Sequence, residues 1–208
     1  MDTFSDRRAV RRQGTTAEIL AAAVELMVHD GVAGMSLSAV ARRVGMKPPS
    51  LYEYFPSKVA IYDALFARGA RELHDAVHWA GSNPDVAGDP LAALREGARA
   101  YVRWSMTNPV VAQLLNWRPV PGFAPSDAAY APNLEMIAET RTVIAAAVEG
   151  GLLDPSAATE EAVLLFTTVI AGVVSQQLAN DPLAAPGDGR YARLLDPAVT
   201  LWLEHYKS

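Results

Sequence analysis

Cysteine is absent from the 208 residues, which excludes disulfides and thiolate chemistry and suits a reducing compartment. No apolar run reads as long enough to span a bilayer, and the arginine-bearing opening "MDTFSDRRAVRRQGTTAEIL" lacks the apolar segment of a signal peptide. The expectation is a cytoplasmic, soluble chain with no membrane partner. Catalytic signatures are lacking too: there is no HExxH order, no GxSxG and no phosphate-binding loop. That leaves no expected cofactor and argues against an enzyme. Repeats, low-complexity tracts and strand-like alternation are also missing.

What is present is an ordinary globular composition, half hydrophobic and a fifth charged. The net charge of −5 is unevenly divided. Through Lys58 there are eight basic and six acidic residues, net +2, and the remainder carries −7. A basic end joined to an acidic body suits one small and one larger unit, with boundaries expected at 1–58 and 59–208.

Helical periodicity runs through the chain, and the expected fold class is all-α. Thr15 and Glu18 have capping-box spacing, and Ile19, Leu20, Ala23, Val24 and Met27 continue a first helix to Gly31. Ser36 can cap a short second helix with Leu37, Val40, Ala41 and Val44 on one stripe, closed by Gly45. In "KPPSLYEYFPSK" the prolines at 48 and 49 open a third helix, because first-turn N–H groups lack intrahelical partners anyway. Three short helices with a glycine turn between the second and third make a helix-turn-helix. Ser57 then caps a long helix to about Trp79, and further helices are expected at about 91–107, 109–116, 133–148, 159–179 and 190–206. The proline-rich stretch at 118–132 reads as a loop.

A helix-turn-helix lays its second helix in the major groove of DNA, with flanking polar groups on phosphates. The stretch "AEILAAAVELMVHDGVAGMSLSAVARRVGMKPPSLYEYFPSKVAIYDAL" resembles the N-terminal domain of the tetracycline-repressor (TetR) family of transcriptional regulators. The resemblance covers roughly Thr16 to Leu65 and rests on the "DG" ending helix one, Ser36 opening helix two, "VARRVG" and "LYEYFPSK". It implies a homodimer with DNA-reading heads and a larger domain for effector binding and dimerisation. It also implies that Ser36, Tyr52 and Lys58 hold the backbone of a double-stranded operator, and that Lys47, Pro48, Pro49, Ser50 and Tyr54 face the groove. A repressor released from a palindromic operator by a small apolar or aromatic effector is the function that follows from the likeness.

Bland readings stand beside these. Phe55 reads as core of the three-helix unit, Tyr52 suits that core as well as a surface, and Arg42 and Arg43 suit a solvated face as well as phosphates. Arg7, Arg8, Arg11 and Arg12 form either a tail or an arm on DNA. In helix 159–179 apolar residues surround the whole circumference, so cover is needed on both sides. One reading makes it the centre of a single core. The other gives a dimer interface of Phe166, Ile170, Val173, Val174, Leu195, Val199 and Trp202. An effector pocket is expected from Trp79, Trp104, Met106, Trp117, Phe123, Met136 and Phe166, with Arg103, Gln113, Asn116, Tyr130 and Glu139 as polar contacts, although core packing serves any of the apolar ones equally. His74 and His78, four apart, have metal-ligand spacing without a third ligand, which keeps open a helical binding or metal-dependent protein without DNA binding.

Overall fold

The computed structural model describes residues 3–86 and 88–208, with side chains from residue 7 onward. Among the described residues the fold is all-helical, with nine α-helices, four short 3-10 turns and one isolated bridge between Leu153 and Lys207. The helices are α1 (Thr3–Asp30), α2 (Leu37–Arg43), α3 (Pro48–Tyr52), α4 (Lys58–Gly81), α5 (Pro90–Thr107), α6 (Pro109–Trp117), α7 (Asp127–Glu149), α8 (Glu160–Asn180) and α9 (Leu195–His205).

Helix α1 starts about three turns before the capping box that the sequence offers. Thr16 Oγ1 donates back to the Arg12 carbonyl at 2.9 Å, as hydroxyls do inside a helix, so the TTAE segment propagates a helix instead of opening one. The arginines are good helix formers and carry α1 upstream through Gly14, where a Cβ would meet open space. The caps at Ser36 and Ser57 follow the sequence, and Thr159 adds a third. Ser36, Ser57 and Thr159 accept from the N–H groups of Ala39, Ala60 and Ala162. Asn108 differs, since its side chain donates back to the Trp104 carbonyl and caps nothing. Helix α7 begins six residues before the expected Asn133, because Ser126 caps it and Pro132 is accommodated within its second turn.

Between α2 and α3 the chain reverses through Gly45 at φ 68°, with Met46 N–H bonded to Ala41 C=O and Gly45 N–H to Arg42 C=O. This left-handed closure favours glycine, since any Cβ would crowd the backbone. It sets the angle at which α3 leaves α2.

Two cores hold the fold. The first joins α1, α2 and α3 to the first half of α4, and draws in Val110 and Leu114 of α6, Phe123 of the connecting loop and Ala129 of α7. The second packs α5, the later half of α7, α8 and α9 around Leu94, Val102, Ile144, Phe166, Ile170 and Trp202. Helix α4 runs between them, about 36 Å long at 1.5 Å per residue. At Gly69 it passes so close to α6 that a Cβ would sit 2.3 Å from Val111 Cγ1.

Helix α8 meets the length and composition of a membrane span, contrary to the expectation that no run would. That is a consequence of apolar residues on all its sides. One side packs against α5 and α9, where Phe166 meets Trp202 edge-on at 5.0 Å and the indole N–H donates to the Ala162 carbonyl. Phe166, Ile170, Val174, Leu195, Val199 and Trp202 are all buried in this core and Val173 is half-buried. Those side chains, expected from the sequence at a dimer interface, have packing partners within this chain. Leu164, Leu165 and Thr168 of α8 are exposed, as are Leu194 and Leu201 of the terminal segment.

Burial pushes the phenols of Tyr62 and Tyr101 above the ordinary 10.0. A raised acid favours the neutral form in the folded state, so this stabilisation is complete below pH 10 and is lost as pH rises through the raised values. Urea midpoints measured from about pH 8 to pH 11 are expected to hold level and then fall above about 10; a level series throughout would count against the burial of both phenols.

Candidate nucleic-acid interface and adjoining cavity

Helix α3 is amphipathic over five residues. Leu51 is fully buried and Phe55 nearly so, which anchors the helix, while Lys47, Pro48, Pro49, Ser50 and Tyr52 form a continuous exposed edge. Tyr52 is 51% exposed, so its ring is presented outward and is not part of the small core. Ser36 stands exposed at the start of α2 with its hydroxyl engaged as the cap. Arg42 is exposed, and Arg43 is paired with Glu25 of α1 at 2.5 Å.

Two residues are more committed than the sequence suggested. Lys58 is half-buried, its ammonium donating to the Ala33 carbonyl at 2.7 Å and lying 5.5 Å from the Tyr62 ring centre. Tyr54 is half-buried beneath the Arg12 guanidinium, 4.9 Å from its ring centre. The same guanidinium donates to the carbonyl of Glu53, the residue that ends α3, at 2.9 Å. Arginine supplies both contacts because its planar fork can stack and donate at once. The arginine segment is thus a helical extension of α1, tied through Arg12 to the end of α3, with Arg8 and Arg11 exposed alongside.

The first turns of α4 are fastened to this unit by a second bond. Tyr62 Oη donates to the Val32 carbonyl at 2.7 Å, next to the carbonyl that holds Lys58. Tyr62 also begins a row of rings: Phe123 lies 5.8 Å from it, Phe66 6.4 Å from Phe123, and Tyr130 stacks on Phe66 at 6.1 Å. Asp63 holds the loop that carries Phe123, accepting from Ser126 N–H and Oγ–H at 2.7 and 2.8 Å.

Tyr130 reaches the wall of a cavity of about 570 Å³ formed by α4, α5, α6, α7 and α8. Asn116, Tyr130, Met136, Glu139 and Phe166 line it as the sequence suggested. The others fall elsewhere. Trp79 and Trp117 are exposed, Arg103 is exposed on the far side of α5, Met106 is buried in the second core, and Phe123 is buried in the first. Trp104 and Gln113 are half-buried outside the lining, Trp104 supporting the α4–α6 crossing at Gly69. Residues missed by the sequence reading include Tyr101, Leu73, Val77 and the small residues Gly97, Ala98 and Ala171. The signal available was the run of alanine and glycine along α5, since a cavity forms where facing side chains are short.

Polar groups stand at two places in this wall. Tyr101 Oη donates to Asn116 Oδ1 at 2.9 Å, and Asn116 Nδ2 donates to the Ala112 carbonyl. At the other, Glu139 of α7 meets two histidines of α4: Oε1 is 3.2 Å from His74 Nε2 and Oε2 is 3.1 Å from His78 Nδ1. The two rings stack at 5.9 Å. Among the described residues no group of three or more histidine, cysteine, aspartate or glutamate side chains is arranged to hold a metal. The spacing that suggested a metal instead places a shared carboxylate between α4 and α7.

A three-helix head with an exposed second helix of a helix-turn-helix, mounted on a helical body, defines the class as a DNA-binding transcriptional regulator. Residues 19–65 match the family described as bacterial regulatory proteins, tetR family, and residues 94–199 match the tetracyclin repressor-like C-terminal domain. The chain belongs to the TetR family, whose members are non-enzymatic transcription factors. It is 32% identical over 151 residues to the HTH-type transcriptional regulator Rv1816 of Mycobacterium tuberculosis, across 69% of this chain and 63% of that protein. The match thus spans less than two thirds of that relative's length. The structure of a protein of unknown function from Rhodococcus sp. RHA1 superposes with a TM-score of 0.74 at 22% identity, covering 93% of this chain and 95% of that one. PfmR, a TetR family regulator from Thermus thermophilus, gives 0.67 at 20% identity, with 89% and 97% covered. At these identities the likeness to the two structures is one of fold.

Proposed function

We propose that this chain is a cytoplasmic, ligand-responsive repressor that binds a palindromic operator as a homodimer and leaves it when a small apolar or aromatic effector fills the cavity. The head is assigned to residues 1–58 and the sensing and dimerising body to 59–208. The observation that carries this reading is the continuity of α4. Its first turns are bonded to the head through Lys58 and Tyr62, and its later turns supply Leu73, Val77 and His78 to the cavity wall. Any effector that favours a different placement of α4 must move the head with it, and only such differential binding shifts the equilibrium.

Two heads reading successive major grooves must stand about 34–36 Å apart, so a small displacement of each α4 spoils the register. Lys47, Pro48, Pro49, Ser50 and Tyr52 are assigned to the groove and its edge, the prolines offering apolar surface to thymine methyls. Ser36, Arg42 and Arg43 are assigned to phosphates; Lys58 keeps donors for a phosphate while holding Ala33. The dimer face is assigned to the exposed leucines of α8 and the terminal segment.

The test is titration against the DNA upstream of the gene, with unrelated DNA as control, at two salt concentrations. Tyr52→Ala is expected to weaken specific binding by about tenfold or more, the scale of a lost anchor at a nucleic-acid surface. Arg12→Ala, which frees the end of α3, is expected to lower specific affinity more than nonspecific affinity. Equal specific and nonspecific binding in the unaltered protein would overturn the regulator's assignment to that operator, and loss of both equally in Arg12→Ala would make Arg12 a simple phosphate contact.

A further inference from the structure

The described residues that line the cavity include no lysine or arginine, and the one formal charge among them, with histidines neutral, is the carboxylate of Glu139. It stands at the rim, its side chain 44% exposed, while Leu73, Leu94, Phe166 and Ile170 form an apolar interior. A carboxylate or phosphate ligand would bring a second negative charge beside Glu139 with no lysine or arginine in the described lining to pair it. A neutral hydroxyl would donate a hydrogen bond to the carboxylate but would bring no opposite charge to it. An ammonium would meet an opposite charge at Glu139.

We infer that the effector is a cationic amphiphile, an amine on an apolar or aromatic body, whose ammonium binds Glu139 while the body fills the cavity. This rests on the ligand-responsive reading of the same cavity. The consequence for α4 is direct. Glu139 is the group that His74 and His78 share, at 3.2 and 3.1 Å, so an ammonium that takes its oxygens competes with the contact between α4 and α7. An ammonium brings three donors and a full positive charge to the carboxylate, so its binding exchanges the α4–α7 contact for a ligand contact and loosens the helix that carries the head.

The experiment uses the full chain and three probes of matched shape: 1-naphthylmethylamine, 1-naphthylmethanol and 1-naphthoate. Calorimetric titration is expected to rank the amine about tenfold above the alcohol, with no binding of the carboxylate. In Glu139→Gln the amine should fall to the level of the alcohol measured on the same variant. Alcohol or carboxylate binding as well as the amine in the unaltered protein overturns the charge class and leaves the cavity standing as a ligand site. An amine preference that persists undiminished in Glu139→Gln overturns the role of Glu139. No binding by any of the three overturns this inference together with the sensing reading. The probe ranking in the unaltered protein decides the class even if the variant folds poorly.

Discussion

Replacing Phe123 with alanine is expected to lower the free energy of unfolding by about 3–5 kcal/mol, the usual cost of emptying a buried phenylalanine site. The ring is 6% exposed and sits against Tyr62 and Phe66, although it comes from a loop between α6 and α7. Urea denaturation with an unchanged slope and a lowered midpoint would report the loss; an unchanged midpoint would show that the ring does not belong to the core. A second effect separates packing from coupling. Phe123 connects Tyr62, bonded to the Val32 carbonyl of the head, with Phe66 and so with Tyr130 of the cavity wall. Phe123→Leu keeps most of the apolar volume and is expected to cost under about 1.5 kcal/mol. If the row of rings transmits ligand occupancy, Phe123→Leu should keep DNA affinity and ligand affinity while weakening the effect of one on the other. Retention of full coupling in a stable Phe123→Leu would assign transmission to α4 alone.

Phe123 also marks where the sequence stops being informative. Local rules were legible in the head: serines before an apolar period set the starts of α2 and α4, the prolines opened α3, and Gly45 closed α2, because those choices depend on a few neighbouring backbone groups. The head could be recognised because its motif is local. Periodicity, by contrast, says that a residue lies on an apolar helix without saying which molecule covers it. Val174 and Leu165 lie on one helix and read alike, yet one is in the core and the other is 44% exposed. The same limit governs the cavity. Tryptophans 79 and 117 have the chemistry of a binding wall and stand in solvent, whereas Gly97 and Ala98 create the space by being small. In α1 the limit is of another kind. A capping box is a competent start only where the upstream chain fails to propagate, and here four arginines propagate it.

The double substitution Leu165→Glu with Leu201→Glu is expected to convert the proposed dimer, twice 22.3 kDa, into a folded chain of 22.3 kDa by light scattering at micromolar concentration. Leu165 is 44% and Leu201 74% exposed, on two helices that pack together, and neither change intrudes on the core. Leu164 and Leu194 are about half-exposed as well, and the homodimer proposed above would cover exposed apolar side chains of this kind. Charges placed there on both partners face each other across a two-fold axis, so each substitution counts twice. Operator affinity should fall by about 10²-fold or more, because each head then binds its half-site without the local concentration supplied by its partner. A mass of 22.3 kDa for the unaltered chain would defeat the dimer assignment at once. The control is Val174→Glu on the buried side of α8, 1% exposed, where an unpaired carboxylate has no solvent and the protomer should lose its fold. Dissociation without unfolding in the first variant, against unfolding in the second, would separate the two faces of a helix whose sequence is apolar on both.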